Sequence, residues 1–385
     1  MATIEKSRKV LLITNDLGPR AGGIESFILG LLAQLPGHEI VILTSSQEGS
    51  QAFDEDIHRR WGVKVIRDRS KVLLPTPRVV IHARKLIRDF GAEIIWFGAA
   101  APLAWMTPAL KRAGARRAVA ITHGHEVWWS RIFPFTLAMR RIGNSVDVIT
   151  YLGDFTKSKM RPALGSRPEL VRIAPGIDTT LFHPMEKDQS LLQKYDLLGK
   201  KVIVCVGRLV HRKGQDRLIE ALPKIRRHHP EAVILFVGQG PYKKKLDQIA
   251  QSLSLMDEIR FVGRVANEDL PRYIALGDIF AMPSRSRLAG LEVEGLGIVY
   301  LEASSCGLPV IAGNSGGAPD AVLEGETGLV VDGNNPDAIS DAVTRMLDNP
   351  EWARNLGRAG RVWAQKNWSW DLWGQKFAQV LFSDR

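Results

Sequence analysis

The sequence predicts an α/β fold built from two Rossmann-like units, each a parallel sheet flanked by helices. Short apolar runs alternate with helix-length segments along most of the chain. The first run, KVLLITN at 9–15, is apolar throughout, as expected for a strand buried on both faces of a parallel sheet. The alternation stops in a proline-marked and then polar stretch at 175–201 and restarts after it. The second half therefore repeats the first in kind, and a ligand cleft is expected at the carboxyl ends of the strands.

The elements of the first unit follow from its apolar runs. Predicted strands occupy 9–15, 39–44, 63–67, 92–98, 118–122, 146–151 and 170–174. One helix is predicted to begin near Ile24. Other predicted helices occupy 79–90, 102–113 and 155–164. A glycine-rich loop, GPRAGG at 18–23, joins the first strand to the first helix.

The second unit shows the same pattern, followed by a helical tail. Predicted strands occupy 201–207, 232–238, 259–263, 278–282 and 310–312, with a helix at 215–228 and others between the strands. The tail is predicted to be helical at 337–347 and 351–382. A chain of 385 residues is long enough for two domains that each bury a core.

Composition narrows the class of protein. Apolar residues make up 45% and charged residues 24%, which is ordinary for a globular enzyme, and no apolar run reaches the roughly 18–20 residues of a membrane span. The chain leads directly into a strand without a signal-peptide pattern. Cys205 and Cys306 lie in apolar surroundings and are expected to be buried thiols in a reducing compartment.

The formal net charge of +11 is concentrated in the first half of the chain. Residues 1–185 contain 26 Lys and Arg against 16 Asp and Glu, whereas the remainder contains 26 against 25. The segment 59–88 has ten basic residues and a single acid, Asp68. Such a basic half indicates an anionic partner, namely a lipid surface, a nucleic acid or a phosphorylated substrate. The alternative is that the basic residues only form a solvated face.

The stretch 292–309, EVEGLGIVYLEASSCGLP, carries two carboxylates eight residues apart, Glu294 and Glu302. A helix is predicted here, with Glu302 about two turns inside it and Glu294 in the preceding loop. Its apolar stripe is formed by Leu296, Ile298, Val299, Leu301 and Ala303. The free backbone N–H groups at its start, those of Gly297, Ile298 and Val299, suit a phosphate. The arrangement suits a sugar nucleotide; the alternative is a tight turn with an N-terminal charge.

Two cations follow the first strand of the second unit. Arg208 and Lys213, in GRLVHRKG, precede the helix at 215–228 and suit a diphosphate whose charge grows as it leaves. In the first unit, Gly22 and Gly23 allow a backbone to approach a phosphate. The loop matches neither GxGxxG nor GxxxxGK[ST], so a dinucleotide site is disfavoured.

Two further stretches lie between the fifth and sixth predicted strands. His123, in THGHE, ends a strand and could hydrogen-bond a ligand hydroxyl or act as an acid or base. His125 follows at a spacing that is poor for a metal, and no Asp-x-Asp pair is placed for Mg²⁺, so catalysis without a metal is expected. The aromatic stretch 127–135 is core, a lid or an interfacial anchor, with core the first choice.

Together these residues resemble the retaining GT-B glycosyltransferases of family four, through the GGIE loop, the GRL…RKG segment and the Glu294/Glu302 pair. Within that family, GPRAGGIE and LEVEGLGIVYLEA are similar to the actinobacterial mannosyltransferases that use GDP-mannose and act on phosphatidylinositol mannosides. The chain departs from the family pattern at 287–290, RLAG, where a more glycine-rich loop is usual.

The resemblance implies a GT-B fold, α/β, with two doubly wound Rossmann-like domains facing a cleft and C-terminal helices packing back toward the N-terminal domain. The expected N-terminal domain, on the acceptor and membrane side, is 1–183 plus a helix at about 369–385 that crosses back. The nucleotide-sugar domain is 184–368.

The resemblance also implies roles for matching residues. Arg208 and Lys213 would bind the donor diphosphate, Glu302 the ribose and Glu294 the hexose hydroxyls. Backbone N–H groups of Gly23 and of Gly297, Ile298 and Val299 would donate to the donor phosphates. The main chain of Gly263, Arg264 and Val265 would contact the base. His123 would contact the sugar near the anomeric centre. No metal site is implied.

The expected function is retaining transfer of α-mannose from GDP-mannose to a phosphatidylinositol monomannoside at the inner face of the plasma membrane. GDP-mannose is then a substrate, no cofactor is bound permanently, and catalysis is metal-independent or only weakly metal-stimulated. The segment 59–88 would dock on the anionic membrane, and no nucleic acid is expected as a partner. The alternatives are a transferase with a UDP-sugar donor or a soluble acceptor, a nucleotide-sugar epimerase, and a non-catalytic protein that binds anionic lipid or nucleic acid.

Overall fold

The apolar runs of both halves form buried parallel strands. The computed structural model describes residues 8–19 and 22–383. Contacts divide the chain into unit 1, Met1–Gly176 with Trp370–Arg385, and unit 2, Ile177–Ser369. The sequence had placed this division at 183/184. Ile177 belongs with unit 2 because its N–H donates to the Trp368 carbonyl at 2.6 Å and it bridges to Ser369.

Unit 1 is a seven-stranded parallel sheet in the order β3-β2-β1-β4-β5-β6-β7. Its strands are β1 Lys9–Ile13, β2 Glu39–Ser45, β3 Lys64–Asp68, β4 Ile94–Phe97, β5 Arg117–Ala120, β6 Val148–Tyr151 and β7 Glu169–Arg172. Its helices are α1 Gly23–Ala33, α2 Ser50–Trp61, α3 Pro77–Phe90, α4 Thr107–Lys111, α5 Glu126–Trp129, α6 Phe135–Gly143, α7 Asp154–Leu164 and, at the end of the chain, α15 Trp370–Phe382.

The two faces of this sheet are covered by different helices because side chains alternate along each strand. Leu11 and Ile95 point to the face covered by α3, α4, α6 and α7, and they share one core with Val79, Met106 and Ile142. On the opposite face, Trp96 packs against Phe377 of α15 with ring centroids 4.9 Å apart. The C-terminal helix thus belongs to the core of unit 1, as the family resemblance implied.

Unit 2 is a six-stranded parallel sheet in the order β10-β9-β8-β11-β12-β13. Its strands are β8 Lys201–Val206, β9 Ala232–Val237, β10 Ile259–Gly263, β11 Ile279–Met282, β12 Val310–Gly313 and β13 Gly328–Val331. Its helices are α8 Gln189–Lys194, α9 Gln215–His228, α10 Lys243–Ser252, α11 Leu270–Ile274, α12 Ile298–Ser305, α13 Pro336–Asp348 and α14 Pro350–Asn367.

The structure differs from the sequence prediction at three elements. The helix expected at 102–113 is a 3₁₀ helix, Leu103–Met106, followed by α4, because Pro108 fits only the first turn of an α-helix. The tail helix at 351–382 breaks at Trp368, whose backbone is not helical (φ −131°). Strand β13 was not predicted.

The carboxyl ends of parallel strands meet at one edge of a sheet. In unit 2 this edge collects the segments that follow β8, β10 and β11, which contain the residues singled out in that half. In unit 1 it collects the segments after β1 and β5, which contain Gly23 and His123. Among the helices formed by residues 8–19 and 22–383, none is both long enough and apolar enough to cross a bilayer.

Candidate functional site

A buried ion pair forms the centre of the constellation in unit 2. A short 3₁₀ turn, His211–Lys213, joins β8 to α9 and ends at Gly214, which has a φ of 75°. The turn directs Lys213 inward, where its Nζ lies 2.9 Å from Oε2 of Glu294. Both residues are buried, with 8% and 7% of their surfaces exposed. The sequence predicted that these two residues meet, and the structure brings them together.

Glu294 is held in its charged form by its neighbours. It lies between β11 and α12, and its backbone N–H donates to Oγ of Ser315 at 3.1 Å. Burial alone would raise the pKa of Glu294, but the positive charges of Lys213 and Arg212 outweigh burial and lower it. An ionised carboxylate and an ammonium group therefore lie side by side, out of water.

Glu302 is the second buried carboxylate of unit 2, and it differs from the prediction in two ways. It is the fifth residue of α12, so it lies just over one turn inside the helix rather than two. The helix is buried on nearly all sides, including Ser304 and Ser305, rather than along one apolar stripe. Burial raises the pKa of Glu302 to about 7, against the opposing charge of Lys213. Its Oε2 has no hydrogen-bond partner among the described residues.

The start of α12 is shaped by Gly297, its N-cap, which has a φ of 78°. A Cβ there would collide with the ring of Tyr300, which is fixed because its hydroxyl donates to the Met282 carbonyl at 2.7 Å. The N–H groups of Gly297, Ile298 and Val299 have no hydrogen-bond partner within 8–19 and 22–383. Three such donors at a helix N-terminus suit an anion.

The other residues singled out in unit 2 lie on the same sheet edge but do not join this buried group. Arg208 is exposed, and its side chain has no partner among the described residues. Gly263 ends β10, and its carbonyl accepts from the N–H of Gly238 at 2.8 Å. Arg264 is exposed and Val265 half-buried. Arg208 and Arg264 are thus two exposed cations at the same edge of the sheet as the buried group.

In unit 1, the glycine loop leads into α1. Arg20 and Ala21 of the predicted GPRAGG loop lie outside the described residues. Gly22 is the N-cap, and its N–H donates to Oε2 of Glu25 at 3.0 Å. Burial raises the pKa of Glu25, although this hydrogen bond opposes the effect. A Cβ on Gly23 would meet nothing within 4 Å, so this backbone is open to close approach.

His123 follows β5 and is half-buried. Its Nε2 lies 2.5 Å from the Gly98 carbonyl, so Nε2 carries the proton and donates. Its backbone N–H donates to Oε2 of Glu126, a fully buried carboxylate, at 2.9 Å. Burial lowers the pKa of His123, which favours the neutral ring. Nδ1 is then a hydrogen-bond acceptor for a hydroxyl group.

Comparison with known proteins decides the family. Two family models cover most of the chain, Glycosyltransferase Family 4 at residues 21–181 and Glycosyl transferases group 1 at residues 188–363. A GDP-mannose-dependent alpha-(1-6)-phosphatidylinositol monomannoside mannosyltransferase of Mycolicibacterium smegmatis is 45% identical over 378 residues, 98% of this chain and 99% of the relative. The chain belongs to glycosyltransferase family 4.

Two further proteins extend this comparison. The Corynebacterium glutamicum enzyme named a GDP-mannose-dependent monoacylated alpha-(1-6)-phosphatidylinositol monomannoside mannosyltransferase is 42% identical over 98% of this chain and 99% of its own. Sucrose-phosphate synthase of Thermosynechococcus elongatus has a similar structure, with a TM-score of 0.81 over 97% of this chain and 98% of that one, at 22% identity. The two parallel-sheet units of this family 4 glycosyltransferase are those of the GT-B fold.

A buried polar network that the sequence did not predict surrounds Arg285 of this glycosyltransferase. Arg285, 2% exposed, follows β11, and its Nη2 lies 2.6 Å from Oδ2 of Asp216 and donates to Nε2 of His211 at 2.9 Å. Its backbone N–H donates to the Arg212 carbonyl at 2.8 Å. Arg285 therefore clamps the turn that carries Lys213. A basic residue three positions after a strand was the available signal, but its partner lies 69 residues away in sequence.

Possible metal ligands and the two cysteines complete the description of the side chains. Among the described residues of the glycosyltransferase, no group of three His, Cys, Asp or Glu side chains is placed to hold a metal ion. Cys205 and Cys306 are both buried free thiols, as predicted. Burial raises the pKa of each thiol to about 12.

The aromatic stretch at 127–135 is only partly core. Val127 is fully buried, and Phe135 packs against the rings of Trp128 and Trp129 at 4.9 Å each. Phe133, in contrast, is 76% exposed. The core interpretation is therefore right for Val127 and wrong for Phe133.

Proposed function

We propose that this glycosyltransferase moves α-mannose from GDP-mannose to a phosphatidylinositol monomannoside with retention of configuration. The observation that carries the proposal is the buried Lys213–Glu294 pair next to Glu302 and an open helix N-terminus. It occurs in a chain that is 45% identical, over 98% of its length, to an enzyme named for that reaction.

We assign each group of the donor to residues of this constellation. Lys213, Arg208 and the amides at the start of α12 hold the diphosphate, and the backbone N–H of Gly23 also donates to the donor. Glu302 accepts hydrogen bonds from the ribose, and Glu294 from the mannose hydroxyls. Main chain at Gly263, Arg264 and Val265 meets the guanine. His123 accepts a hydrogen bond from the sugar near the anomeric centre. Unit 2 is then the donor domain and unit 1 the acceptor domain.

The reaction is a front-face displacement. The bond from the anomeric carbon to the diphosphate oxygen breaks, and the acceptor hydroxyl oxygen bonds to that carbon on the same face. The departing phosphate takes the hydroxyl proton, which yields GDP. Negative charge develops on the diphosphate only as it leaves, so Lys213 and Arg208 stabilise the transition state more than the ground state. The protein cations do this without requiring a metal ion, and we expect EDTA to leave turnover unchanged or only slightly lower.

The test of the reaction uses radiolabelled GDP-mannose with actinobacterial membranes, followed by identification of the labelled lipid. A dimannosylated phosphatidylinositol is the expected product. Calorimetry with GDP, UDP and ADP identifies the nucleotide base that the donor site prefers. A preference for UDP would contradict GDP-mannose as the donor. Turnover at the wild-type rate in Glu294→Ala and Lys213→Ala variants would contradict the proposed site.

We further propose that the enzyme is cytoplasmic and peripheral on the inner face of the plasma membrane, where the segment 59–88 docks. The structure narrows the residues available for docking, because Arg59, Arg60, Arg67, Arg78 and Lys85 all form ion pairs with aspartates. The exposed basic residues of the segment without an ion pair among the described residues are Lys64, Arg69, Lys71 and Arg88.

Neutralising Lys71 and Arg88 to glutamine tests this docking surface. Each basic residue near an anionic membrane contributes about 1 kcal/mol, so we expect vesicle binding at low salt to fall by roughly an order of magnitude or more. The matched control neutralises Lys244 and Lys245, which are equally exposed and lie in unit 2. Equal binding by both double variants would contradict docking through this segment.

A further inference from the structure

The exposed apolar side chains of unit 1 are unevenly distributed. Large apolar side chains that are exposed, among the described residues of this unit, are Val72, Leu74, Ile81, Trp105, Ile132, Phe133, Leu137 and Leu372. All but Leu372 lie in α3, α6, the 3₁₀ helix before α4, or the segments that lead into α3 and α6. Scattered exposed apolar residues need no explanation, whereas a concentration of them marks an interaction surface.

These side chains lie in one helical layer. Helices α3, α4 and α6 cover the same face of the sheet, because their inward side chains share a single core. The layer is continuous, since α3 contacts α4 and the 3₁₀ helix contacts α6. The guanidinium group of Arg141, on α6, lies 4.7 Å from the ring centroid of Trp105. The exposed apolar residues other than Leu372 therefore lie on the outer surface of one helical layer of unit 1.

Part of this surface lies at the edge of the sheet that also carries His123. Val72 and Leu74 follow β3, and Ile132 and Phe133 follow β5, so both segments leave the sheet at the carboxyl ends of its strands. Leu137 lies in the first turn of α6, beside the second segment. We call Ile132, Phe133 and Leu137 the apolar rim.

The charge around the apolar rim is positive. From 127 to 146 the chain contains no aspartate or glutamate, and it contains Arg131, Arg140 and Arg141. All three arginines are exposed. Apolar side chains bordered by arginines are suited to the interface of an anionic bilayer, in which the apolar groups enter the acyl region and the cations meet headgroups. A water-facing role explains the arginines but not the exposure of Phe133.

We propose that the apolar rim inserts into an anionic lipid bilayer and holds the acceptor-binding edge of unit 1 against it. The inference rests on the proposed function, because a lipid acceptor is what requires that edge at a bilayer. It goes beyond docking through 59–88, since it adds an apolar anchor in a different segment. Basic residues alone give salt-sensitive binding, and stable peripheral attachment takes two signals.

The first test compares Phe133→Ser/Leu137→Ser with the wild type on vesicles of phosphatidylcholine and phosphatidylinositol. The variant should lose at least about tenfold in partition coefficient, which corresponds to about 1.4 kcal/mol. In 0.5 M NaCl the wild type should retain measurable binding and the variant should not. The matched control is Leu198→Ser/Val362→Ser, at exposed apolar positions of unit 2, which should bind as the wild type does.

The second test reads insertion directly. Cys205 and Cys306 are buried, so Phe133→Cys creates the thiol that an environment-sensitive NBD label will take, with Val362→Cys as its control. A blue shift of NBD emission on vesicles is expected at 133 and not at 362. Unchanged partitioning of the serine variant, or no shift at 133, overturns the inference. So does a wild-type dimer in solution that the serine variant turns into monomers, because the rim would then face a second copy.

A final measurement separates this inference from the proposed function. Transfer from GDP-mannose to detergent-dispersed phosphatidylinositol monomannoside does not need a bilayer, so the serine variant should retain it. Vesicle insertion without any such transfer by the wild type would contradict the proposed reaction and leave the rim as a lipid-binding surface. Transfer without insertion would contradict the rim alone.

Discussion

The Lys213–Glu294 pair is expected to contribute both to stability and to donor binding. Each partner compensates the buried charge of the other, and both belong to the proposed donor site. Lys213→Met should leave Glu294 buried without its cation, which costs about 3–5 kcal/mol of stability. It should also weaken GDP binding by about 10- to 100-fold, since a charge-assisted contact to the diphosphate is lost. Urea unfolding and calorimetry with GDP measure the two effects separately.

The double variant Lys213→Met/Glu294→Gln provides the control. Removing the stranded carboxylate should recover most of the stability, whereas the affinity for GDP should stay low because Lys213 is still absent. Recovery of GDP binding together with stability would show that Lys213 serves the fold alone and would contradict its assignment to the diphosphate.

Glu302 predicts a pH dependence of stability. Its pKa is about 7 in the folded protein against a usual 4.5, so between these values the unfolded chain loses a proton that the folded protein keeps. Stability therefore falls as the pH rises from 4.5 to 7, by up to about 3 kcal/mol at about 1.4 kcal/mol per pKa unit. Glu302→Gln should be more stable than the wild type at pH 8 by up to this amount, and should show no such gain at pH 4.

Urea unfolding at pH 4, 6 and 8 measures this effect. Glu326→Gln, at an exposed position in unit 2, is the control and should show no gain at pH 8. A gain for Glu302→Gln that is the same at all three pH values would contradict the explanation, because the benefit would then come from packing rather than from the carboxyl proton.

At the scale of elements, the junction between β8 and α9 depends on Gly214. Its φ of 75° is left-handed, and a Cβ would collide with the carbonyl oxygen of Pro283 on the segment after β11. Gly214→Ala should therefore move the two segments apart and displace Lys213, its neighbour. We expect a loss of more than about 2 kcal/mol of stability and weaker binding of GDP.

Gly199→Ala is the matched control for this prediction. Gly199 has a φ of 69°, but a Cβ there would meet nothing within 4 Å. This variant should show only the backbone strain of about 1 kcal/mol, with the affinity for GDP unchanged. Equal effects of the two alanines on GDP affinity would show that the contact with Pro283 does not position Lys213.

The sequence predicted helix α9 with its observed bounds but did not predict strand β13. Helix α9 has the predicted bounds, because an amphipathic pattern over four turns has few alternatives. Strand β13 has four residues, GLVV, and its place is decided by pairing with β12, which is a tertiary contact. The burial of α12 on nearly all sides is likewise set by the neighbouring elements rather than by its own pattern.

The same distinction applies to the candidate site. Lys213, Glu294 and Glu302 could be predicted to meet, because parallel strands bring their following segments to one edge. The ion pair between Arg285 and Asp216 could not be predicted, because in the sequence a buried arginine cannot be distinguished from an exposed loop arginine. The sequence also could not show that Arg67 and Arg78 form ion pairs with Asp54 and Asp68.

At the scale of the whole molecule, the chain crosses to unit 2 after Gly176 and returns to unit 1 at Trp370. The returning helix α15 fits closely, since a side chain at Gly30 of α1 would collide with the ring of Trp370. Arg117, on β5, also donates from Nε to the Val380 carbonyl at 3.0 Å. Helix α15 thus completes the core of unit 1, so the stability of unit 1 depends on a helix that follows the whole of unit 2 in the sequence.

Phe377→Ala tests this dependence. Phe377 is fully buried against Trp96, so its truncation should cost about 3–5 kcal/mol. Native-state hydrogen exchange should show lost protection in β1, β4 and β5, which belong to unit 1, while β8, β9 and β11 of unit 2 keep theirs. Leu372→Ala, at a 42% exposed position on the same helix, should change little. An equal loss of protection in both sheets would mean that α15 supports the two units jointly, and would contradict its assignment to unit 1.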